Sequence, residues 1–370
     1  MENNISKVNS LGQSIWYDNI SKEMIMSGEL KDLIDTGISG LTSNPTIFFK
    51  AITGSTDYDM QLNKFASQGF DIEGIYEHLV IDDIRSVADL LQPVYDKTDG
   101  ADGYVSLEVN PNLAHETDKT IAEAIRLFDT VNRKNLMIKV PATPAGIPAI
   151  RTLIGKGINV NVTLIFSLKA YSDVREAYLL GLNDFEKIGG DLSDVSSVAS
   201  FFVSRVDTLV DKKIVRLDIQ SDSRLNTLLG KAAIVNAKLA YKDFKKDFYS
   251  EKFMALQQKG GRVQRPLWAS TGTKNPEYSD VLYLDSLIGN DTVNTMPQAT
   301  LESFLDHGCV TNSLTRDDNE IEKYFDELNS YNINIDEITS ELLEDGVKQF
   351  VDSYNELITA IEGKSLKITQ

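Results

Sequence analysis

The stretch LMIKVPATPAGIPAI, residues 136–150, carries the information from which the fold can be worked out. Its first half is an apolar strand candidate with one charged side chain, Lys139. Its second half turns at Pro-Ala-Gly and starts a helix, because Ile147, Ile150 and Ile154 recur at helical spacing. A strand followed at once by a helix is the repeating unit of α/β proteins.

The same alternation of short apolar runs and longer amphipathic stretches continues on both sides of this unit. Eight strands alternating with helices predict a closed (β/α)8 TIM barrel of the α/β class, and an open doubly wound sheet is the alternative. The eight strand candidates are QSIWYDN (13–19), ISGLTSNP (38–45), GYVSLEVNP (103–111), NLMIKVP (135–141), INVNVTLIFS (158–167), SVASFFVS (197–204), RPLWAST (265–271) and DTVNTMP (291–297).

The chain of 370 residues is long enough for one extended barrel, so we predict a single domain over residues 1–370. Three regions exceed a minimal barrel: about 46–98, about 207–262 and about 315–370. None of them has its own complete pattern of strands and turns, so we interpret them as added helices, two insertions and a C-terminal extension.

Charge and cysteine content exclude several classes of function. The formal net charge of −18 argues against nucleic acid or acidic membranes as partners, so any anionic substrate must meet a local positive patch. The single cysteine, Cys309, cannot form an internal disulfide; it fits a reducing cytoplasm and is expected to pack in the interior. No stretch is apolar enough for secretion or for a membrane span, so we expect a cytoplasmic location.

One face of several strand candidates is polar. Side chains alternate across a strand, so one face of each barrel strand points into the lumen. In residues 158–166, Val160, Val162 and Leu164 lie opposite a polar set. Such groups need partners or a ligand, which predicts a site at the strand C-termini; an ordinary satisfied polar core is the alternative. The residues placed inward are Asp18, Ser106, Glu108, Lys139, Asn159, Asn161, Thr163, Ser200, Phe202, Trp268 and Ser270.

Three charged residues of this set have two interpretations each. Burial disfavours a charged ammonium, so a buried lysine such as Lys139 can act as a neutral amine nucleophile in Schiff-base chemistry, or it can snorkel to solvent from a strand end. Glu108 lies among Val and Leu and needs a partner, which a structural ion pair with Lys139 would provide. Asp18 is either a functional carboxylate or the cap of the first barrel helix.

Further polar residues follow the strands. Asn44 before Pro45 is typical of a helix start, which does not exclude ligand contact. Arg205 either pairs with Asp207 or Asp211 on a surface helix, or binds phosphate at the barrel mouth. Lys274 is either a solvated loop lysine or a second phosphate contact.

Metal and cofactor chemistry has no support in the sequence. The histidines, His78, His115 and His307, are far apart and none is near the acids above, so we predict no metal site. No glycine-rich phosphate loop follows a strand, so no nucleotide or redox cofactor is expected. Cys309 lies beside a histidine, but no third orienting group is evident, and a catalytic role is not expected.

Two of these segments resemble the signature segments of transaldolases: GLTSNPTIF (40–48) and LMIKVPATPAGIPAI (136–150). The resemblance continues through SLEVNP, GINVNVTLIFS, ASFFVSRVD, WASTGTKNP and DTVNTMPQATL, so it covers all eight strands, and the length is similar to that of the longer bacterial and plant-type branch. It implies a circularly permuted class I aldolase barrel with a Schiff-base lysine on the fourth strand. That is where the strand count places Lys139.

The resemblance also implies the roles of other residues. Asp18 would be the general base and acid for C–C cleavage, Glu108 and Thr163 would handle the catalytic water, and Lys139 would form the Schiff base without cofactor or metal. A second set of residues would bind the substrate. Asn44, Asn161 and Ser200 would hold the dihydroxyacetone hydroxyls, Phe202 would favour transfer over cleavage because it lacks a tyrosine hydroxyl, and Arg205 would bind phosphate with Ser270 and Lys274.

One position departs from the family pattern. Shorter transaldolases have a second phosphate-binding arginine after the seventh strand, where this chain has STGTKN (270–275), and Lys274 supplies charge without a bidentate fork. The implied reaction transfers a dihydroxyacetone unit between sugar phosphates in the pentose phosphate pathway. The alternatives are a lyase similar to fructose 6-phosphate aldolase and a non-catalytic barrel that binds sugar phosphates. We expect a monomer or a homodimer.

Overall fold

Eight parallel strands close into a barrel in a computed structural model that describes residues 3–217, 222–315 and 321–368. Each strand pairs with the next in chain order, and the first pairs with the last. The (β/α)8 barrel is therefore confirmed, and the open doubly wound sheet is wrong. The strands are β1 (Gln13–Tyr17), β2 (Gly40–Leu41), β3 (Tyr104–Glu108), β4 (Leu136–Pro141), β5 (Val160–Ile165), β6 (Ser197–Phe202), β7 (Arg265–Ala269) and β8 (Thr292–Met296).

Helices surround the barrel, and one of them crosses its C-terminal end. In the described residues they are α1 (Asn4–Ser10), α2 (Lys22–Ser27), α3 (Glu29–Asp35), α4 (Pro45–Gly54), α5 (Asp59–Ser67), α6 (Ile72–Lys97), α7 (Thr117–Val131), α8 (Gly146–Ile154), α9 (Leu168–Lys187), α10 (Ser204–Val215), α11 (Leu225–Leu228), α12 (Ala232–Phe248), α13 (Glu251–Gln257), α14 (Leu282–Ser286), α15 (Gln298–His307), α16 (Ile321–Ser330) and α17 (Ile335–Ile368). None of them is both long enough and apolar enough to cross a membrane.

The main core lies between the strands and the helix ring. In α8, Ile150 and Ile154 are fully buried, as their spacing predicts, and α8 packs beside α9. The barrel interior is filled as well: the Trp16 ring lies so close to β2 that a Cβ on Gly40 would come within 2.4 Å of it. Glycine at this position therefore lets a large aromatic ring close the lumen next to the shortest strand.

The predicted alternation of β5 fails at Leu164. This residue has φ 59°, in the left-handed region, and the pairing of β5 with β6 shifts register between Val162 and Ile165. A bulge of this kind redirects the following side chains. Leu164 consequently faces α17, where a Cβ on Gly346 would lie 2.9 Å from its Cδ2, instead of joining Val160 and Val162 on one face.

The extra helices do not all lie on the outside. The regions about 46–98 and 207–262 contain α4 to α6 and most of α10 to α13, while the C-terminal region contains α16 and α17, with residues 316–320 and 369–370 outside the described residues. Helix α17 packs against α4, α6, α10 and β5, so it crosses the barrel end at which the strands terminate. The single-domain assignment and the circular permutation stay predictions.

Candidate active site

Lys139 is buried in the lumen and does not reach solvent. Its residue exposure is 5 %, and its Nζ donates a hydrogen bond of 2.9 Å to the Ser43 carbonyl. The same Nζ lies 3.7 Å from Glu108 Oε2 and 5.7 Å from the centre of the Phe350 ring. The snorkelling alternative is therefore wrong, and the amine stands at the meeting point of an acid, a carbonyl and an aromatic face.

Strand register brings the neighbours of Lys139 together. Glu108 of β3 pairs in register with Lys139, which in turn pairs with Asn161 of β5. One step further along, Pro141 pairs with Thr163. Parallel pairing of this kind aligns side chains of successive strands at one level of the lumen. The sequence pattern predicted this juxtaposition of Glu108, Lys139 and Thr163, and the structure has it.

Two buried oxygens beside Lys139 have no hydrogen-bond partner among the described residues: Glu108 Oε2 and Thr163 Oγ1. The Glu108 side chain is 7 % exposed, and the 3.7 Å to Lys139 is an ion-pair distance that is too long for a hydrogen bond. Burial raises the pKa of Glu108 to about 7, while the charge of Lys139 opposes that rise. Glu108 can therefore both donate and accept a proton near neutral pH.

Asp18 lies across the lumen from this pair and does not cap a helix. The cap of α2 is Ser21, whose hydroxyl accepts from the Met24 amide. Asp18 Oδ1 instead accepts a hydrogen bond of 2.6 Å from Thr42, which is also 2.7 Å from the Thr295 hydroxyl. Burial of the carboxyl raises the pKa of Asp18, an effect that the Thr42 hydrogen bond and the Lys139 charge oppose.

Asn161 belongs to a polar chain under the site. Its Nδ2 donates 3.0 Å to Ser106 Oγ, and its Oδ1 accepts 2.6 Å from Ser200 Oγ. Asn161 is fully buried, so both ends of its amide are occupied by protein. Asn159 is likewise held by backbone groups, through bonds to the carbonyls of Lys134 and Leu136 and from the Ser196 amide. Substrate contact by Asn161 stays a prediction.

A pocket of about 170 Å³ opens at the strand C-termini; we call it the mouth pocket. Active sites of such barrels lie at this end. Glu108 and Asn161 are the two predicted site residues that are not on its wall. The predicted residues that line it are Asp18, Asn44, Lys139, Thr163, Ser200, Phe202, Arg205, Ser270 and Lys274.

Asn44 both caps a helix and faces the pocket, as the sequence allowed. Its Oδ1 accepts from the Ile47 amide at 3.0 Å, with Pro45 as the first residue of α4. The cap fixes the side chain at the pocket wall. Capping and ligand contact are therefore compatible at this residue.

Apart from Lys139, the basic side chains that line the mouth pocket lie at its α10 and β7 side. Arg205, in the first turn of α10, stands over the Phe202 ring at 5.5 Å, and burial lowers its pKa. The alternative partners of Arg205 are engaged elsewhere. Asp207 accepts from the Ala233 amide and Tyr283, and Asp211 accepts from the Gly230 amide and Tyr278. The surface-pair interpretation of Arg205 is wrong.

Ser270 and Lys274 complete this positive corner. Ser270 has φ 56°, and its Oγ is 3.0 Å from Ser204 Oγ at the start of α10. The Lys274 Nζ would lie 3.9 Å from a Cβ on Gly272, so its ammonium turns back towards the pocket. A helix N-terminus flanked by two cations is suited to a phosphate group.

Sequence reasoning missed four groups of the site. The Ser43 carbonyl, Thr42 and Thr295 lie in the quoted segments GLTSNP and DTVNTMP, and a closer reading of their polar residues would have found the two threonines. Phe350 could not be found in this way, because it lies on α17, an amphipathic helix with no strand before it. Which residues of α17 face the lumen depends on how this C-terminal helix packs across the barrel end.

Cys309 is exposed, so its predicted packing role is wrong. It lies in the irregular segment after α15, where its amide donates to Asp285, away from the mouth pocket. The described residues contain no group of three or more His, Cys, Asp or Glu that could hold a metal ion. His307, next to this segment, pairs with Asp280 and Asp306.

Comparison with known proteins gives a consistent result. Residues 15–361 match the family model for transaldolase/fructose-6-phosphate aldolase. Similar proteins include the "Transaldolase" of Trichodesmium erythraeum, 44 % identical over 375 residues and 99 % of both chains. The "Transaldolase" of Mycolicibacterium smegmatis is 46 % identical over 98 % of this chain and 97 % of its own. That of Mycobacterium tuberculosis is 44 % identical over 96 % of this chain and 95 % of its own.

Proposed function

This chain belongs to the transaldolase/fructose-6-phosphate aldolase family, and we propose that a Schiff base on Lys139 carries its transaldolase activity. The protein is a transferase. It moves a dihydroxyacetone unit from sedoheptulose 7-phosphate to glyceraldehyde 3-phosphate and gives fructose 6-phosphate and erythrose 4-phosphate in a reversible step of the non-oxidative pentose phosphate pathway. The roles of individual residues below are the proposal.

The first step is attack of the Lys139 amine on the ketose carbonyl. Lys139 is held by the Ser43 carbonyl, so its lone pair is directed by a fixed hydrogen bond. Glu108, with its pKa raised to about 7, donates a proton to the departing hydroxyl, and water leaves as the iminium forms. Thr163 Oγ1 and Glu108 Oε2, two buried oxygens without a hydrogen-bond partner in the part of the chain that the structure describes, are suited to hold this water.

The second step is cleavage of the C–C bond. Asp18 takes the proton of the adjacent hydroxyl, and the bonding electrons pass to the iminium, which becomes an enamine. Thr42, through its 2.6 Å hydrogen bond, and Thr295 behind it fix the direction of the Asp18 carboxylate. The acceptor aldehyde then binds, and Asp18 returns the proton as the new bond forms.

The remaining pocket residues bind the sugar. Ser200, held by Asn161, and Asn44, held at its helix cap, present fixed polar groups to the dihydroxyacetone unit. Phe202 adds an apolar wall without a hydroxyl that could protonate the enamine, which favours transfer over release. Arg205, Ser270 and Lys274 form the phosphate corner.

One observation carries this proposal: a buried amine that lines a pocket at the strand C-termini lies 3.7 Å from a buried carboxyl. A non-catalytic barrel would leave such a pair without use. A cytoplasmic location and a monomeric or homodimeric state are also proposals; the acidic charge and the lone cysteine support the first.

The test measures glyceraldehyde 3-phosphate release from fructose 6-phosphate, with and without erythrose 4-phosphate, in the presence of a chelator. We expect continuous release only with the acceptor, and borohydride in the presence of fructose 6-phosphate should add the mass of a reduced dihydroxyacetone adduct to wild type and not to Lys139→Ala. Continuous release without the acceptor would assign the protein as a lyase. Undiminished turnover of Lys139→Ala would contradict the mechanism.

A further inference from the structure

A second cavity reaches the catalytic acid from the side of the barrel. This side cavity, of about 340 Å³, lies between α4, α6, α7 and α17. Its rim is formed by Glu73, Glu77, Glu123 and Arg126, and its inner end reaches Glu108. Glu73 is exposed, and the side chains of Arg126, Glu77 and Glu123 are 46 %, 29 % and 22 % exposed, whereas that of Glu108 is 7 % exposed. The cavity therefore leads from the surface to a buried carboxyl.

The mouth pocket and the side cavity meet different sides of the Schiff-base site. Lys139, Asp18 and Thr163 line the mouth pocket, whereas Glu108 lines the side cavity, although its Oε2 is only 3.7 Å from the Lys139 amine. Asn44 lines both. The amine thus stands between two spaces, with the sugar-binding residues on one side and the acid on the other.

We propose that the side cavity is the route by which water and protons reach and leave Glu108, separate from the mouth pocket through which sugar phosphates enter. The inference rests on the proposed Schiff-base function. When the C–N bond to Lys139 forms and the C–O bond of the carbinolamine breaks, the hydroxyl takes the proton of Glu108 and leaves as water. In hydrolysis, Glu108 takes a proton from the attacking water as the new C–O bond forms, and the C–N bond to Lys139 then breaks to release the ketose and the free amine.

The occupancy of the mouth pocket by substrate and the charge at the rim of the side cavity both support separate routes for sugar phosphates and for water. A bound ketose phosphate fills the mouth pocket at the moment when water must depart, so water needs another way out. The rim of the side cavity carries three carboxylates against one guanidinium, and Arg126 is already bound to Glu77 and Glu123. This acidic rim repels sugar phosphates and admits neutral water.

Tyr76 lines the side cavity together with Glu108. Its ring packs edge-on against Tyr354, with ring centres 5.5 Å apart. Burial raises the pKa of Tyr76, and the neighbouring Tyr354 and Glu108 add to that rise, so its O–H stays protonated. A neutral hydroxyl that lines the same cavity as an acid can pass protons to and from water there.

The experiment follows two labels in one incubation. The enzyme is mixed with fructose 6-phosphate and ¹³C-labelled glyceraldehyde 3-phosphate in H₂¹⁸O, and mass spectrometry measures both labels in fructose 6-phosphate at early times. Carbon label reports cleavage and exchange through the mouth pocket. Oxygen label in molecules without carbon label reports water that exchanged while the uncleaved sugar still filled that pocket, after subtraction of a Lys139→Ala blank.

We expect wild type to incorporate ¹⁸O into fructose 6-phosphate without ¹³C. Leu113→Trp, on the cavity wall, should lower this oxygen exchange by about tenfold relative to carbon exchange. Glu73→Trp, at the exposed rim, gives a second variant that does not disturb the core. Met254→Trp, which lines a cavity at the opposite barrel end, is the matched control and should behave as wild type.

The outcomes separate the two proposals. Oxygen label that appears only together with carbon label, or an unchanged ratio in both folded cavity variants, would overturn the side route while leaving the Schiff base in place. Wild type that exchanges neither label above the Lys139→Ala blank would instead mean that the proposed function itself has failed.

Discussion

Both ends of the barrel hold buried charged side chains. At the N-terminal end their atoms have hydrogen-bond and ion-pair partners, and at the C-terminal end some of their atoms have no hydrogen-bond partner among the described residues. At the N-terminal end, Asp102 accepts hydrogen bonds from Trp16 Nε1 at 2.8 Å and Ser39 at 2.9 Å, and a further short one from Ser14. Arg265 lies 3.5 Å from the same carboxylate and donates 2.7 Å to Ser14. The partners of this acid come from β1, from the residue before β2 and from the start of β7, so the network ties separate strands of the closed sheet together.

At the C-terminal end, Glu108 Oε2 and Thr163 Oγ1 have no hydrogen-bond partner among the described residues. The Glu108 atom lies 3.7 Å from the buried amine of Lys139, less than one strand spacing. Leaving buried polar atoms unpaired costs stability, so their persistence indicates that a substrate or water is their intended partner. The comparison teaches that buried charge alone does not identify an active site in this barrel. An acid oxygen without a hydrogen-bond partner beside a buried amine at the strand C-termini does.

The largest expected effect is on kcat and comes from a change at the C-terminal end of the barrel. Lys139→Met should lower kcat by about 10⁴-fold or more, because the nucleophile is lost. The unfolding free energy should change little, because Glu108, with its pKa raised by burial, can remain buried as a neutral carboxylic acid without the lysine. Transfer assays and urea unfolding of the same preparation measure both, and Lys134→Met, with a side chain that is 78 % exposed, is the control. A collapse in stability would mean that the pair is structural.

At the N-terminal end of the barrel we expect the reverse, a loss of stability with little change in kcat. Asp102→Ala leaves Arg265 partly buried without its carboxylate, which should lower the unfolding free energy by about 3 kcal/mol. The kcat of the folded fraction should stay within about twofold, because Asp102 is far from the mouth pocket along the strands. Asp89→Ala breaks the exposed pair with Arg133 and should cost less than about 1 kcal/mol. A large loss of kcat in Asp102→Ala would remove the distinction between the two ends.

The pH dependence of stability sharpens the comparison further. Because burial raises the pKa of Glu108 from 4.5 to about 7, the native protein holds a proton that the unfolded chain releases in this window. This group therefore makes the unfolding free energy fall as pH rises from 4.5 to about 7. Glu108→Gln should remove that fall, up to about 3 kcal/mol, and should lower kcat by about 10²-fold.

Asp207 is the matched control for this pH effect. Burial raises its pKa to about 7 as well, but its oxygens accept from the Ala233 amide and Tyr283. Asp207→Asn should also flatten the fall of stability with pH, yet leave kcat unchanged within about twofold. Equal loss of kcat in both variants would contradict the role of Glu108 as the acid. Urea titrations at several pH values, with kcat at each, measure the difference.

Much of the site could be predicted from the sequence because its geometry follows from strand alternation. Glu108, Lys139 and Thr163 lie on adjacent parallel strands, so their faces and their levels in the lumen are set by local pattern and by pairing in chain order. Arg205 and Asn44 follow strands directly, at helix starts. Such residues are local to the strand C-termini, where a barrel of this kind collects its functional groups.

Other features depend on packing between distant segments and could not be predicted. The bulge at Leu164 breaks an apolar alternation that has no glycine or proline to signal it. The course of α17 across the mouth depends on Gly346, which allows the helix to approach β5, a contact that no periodicity encodes. The side cavity likewise arises between four helices, and each of these helices by itself has an ordinary amphipathic pattern.

The smallest expected effect concerns the part of the site contributed by α17. Phe350 is 8 % exposed, and its ring lies 5.7 Å from the Lys139 amine, so it limits the water that reaches the enamine from the mouth. Phe350→Leu keeps an apolar side chain but removes the ring, and acceptor-independent release of dihydroxyacetone should rise about threefold as water gains access.

Val351→Ala, at the next position of α17, alters a partly buried residue that does not line the mouth pocket and should leave this release unchanged. Release is followed by coupled oxidation of glyceraldehyde 3-phosphate and of dihydroxyacetone with fructose 6-phosphate alone. Equal release from Phe350→Leu and wild type would show that α17 only stabilises the fold at this end. A rise in release by Phe350→Leu alone would show that the active site at this end depends on α17, a helix that lies outside the eight-strand pattern.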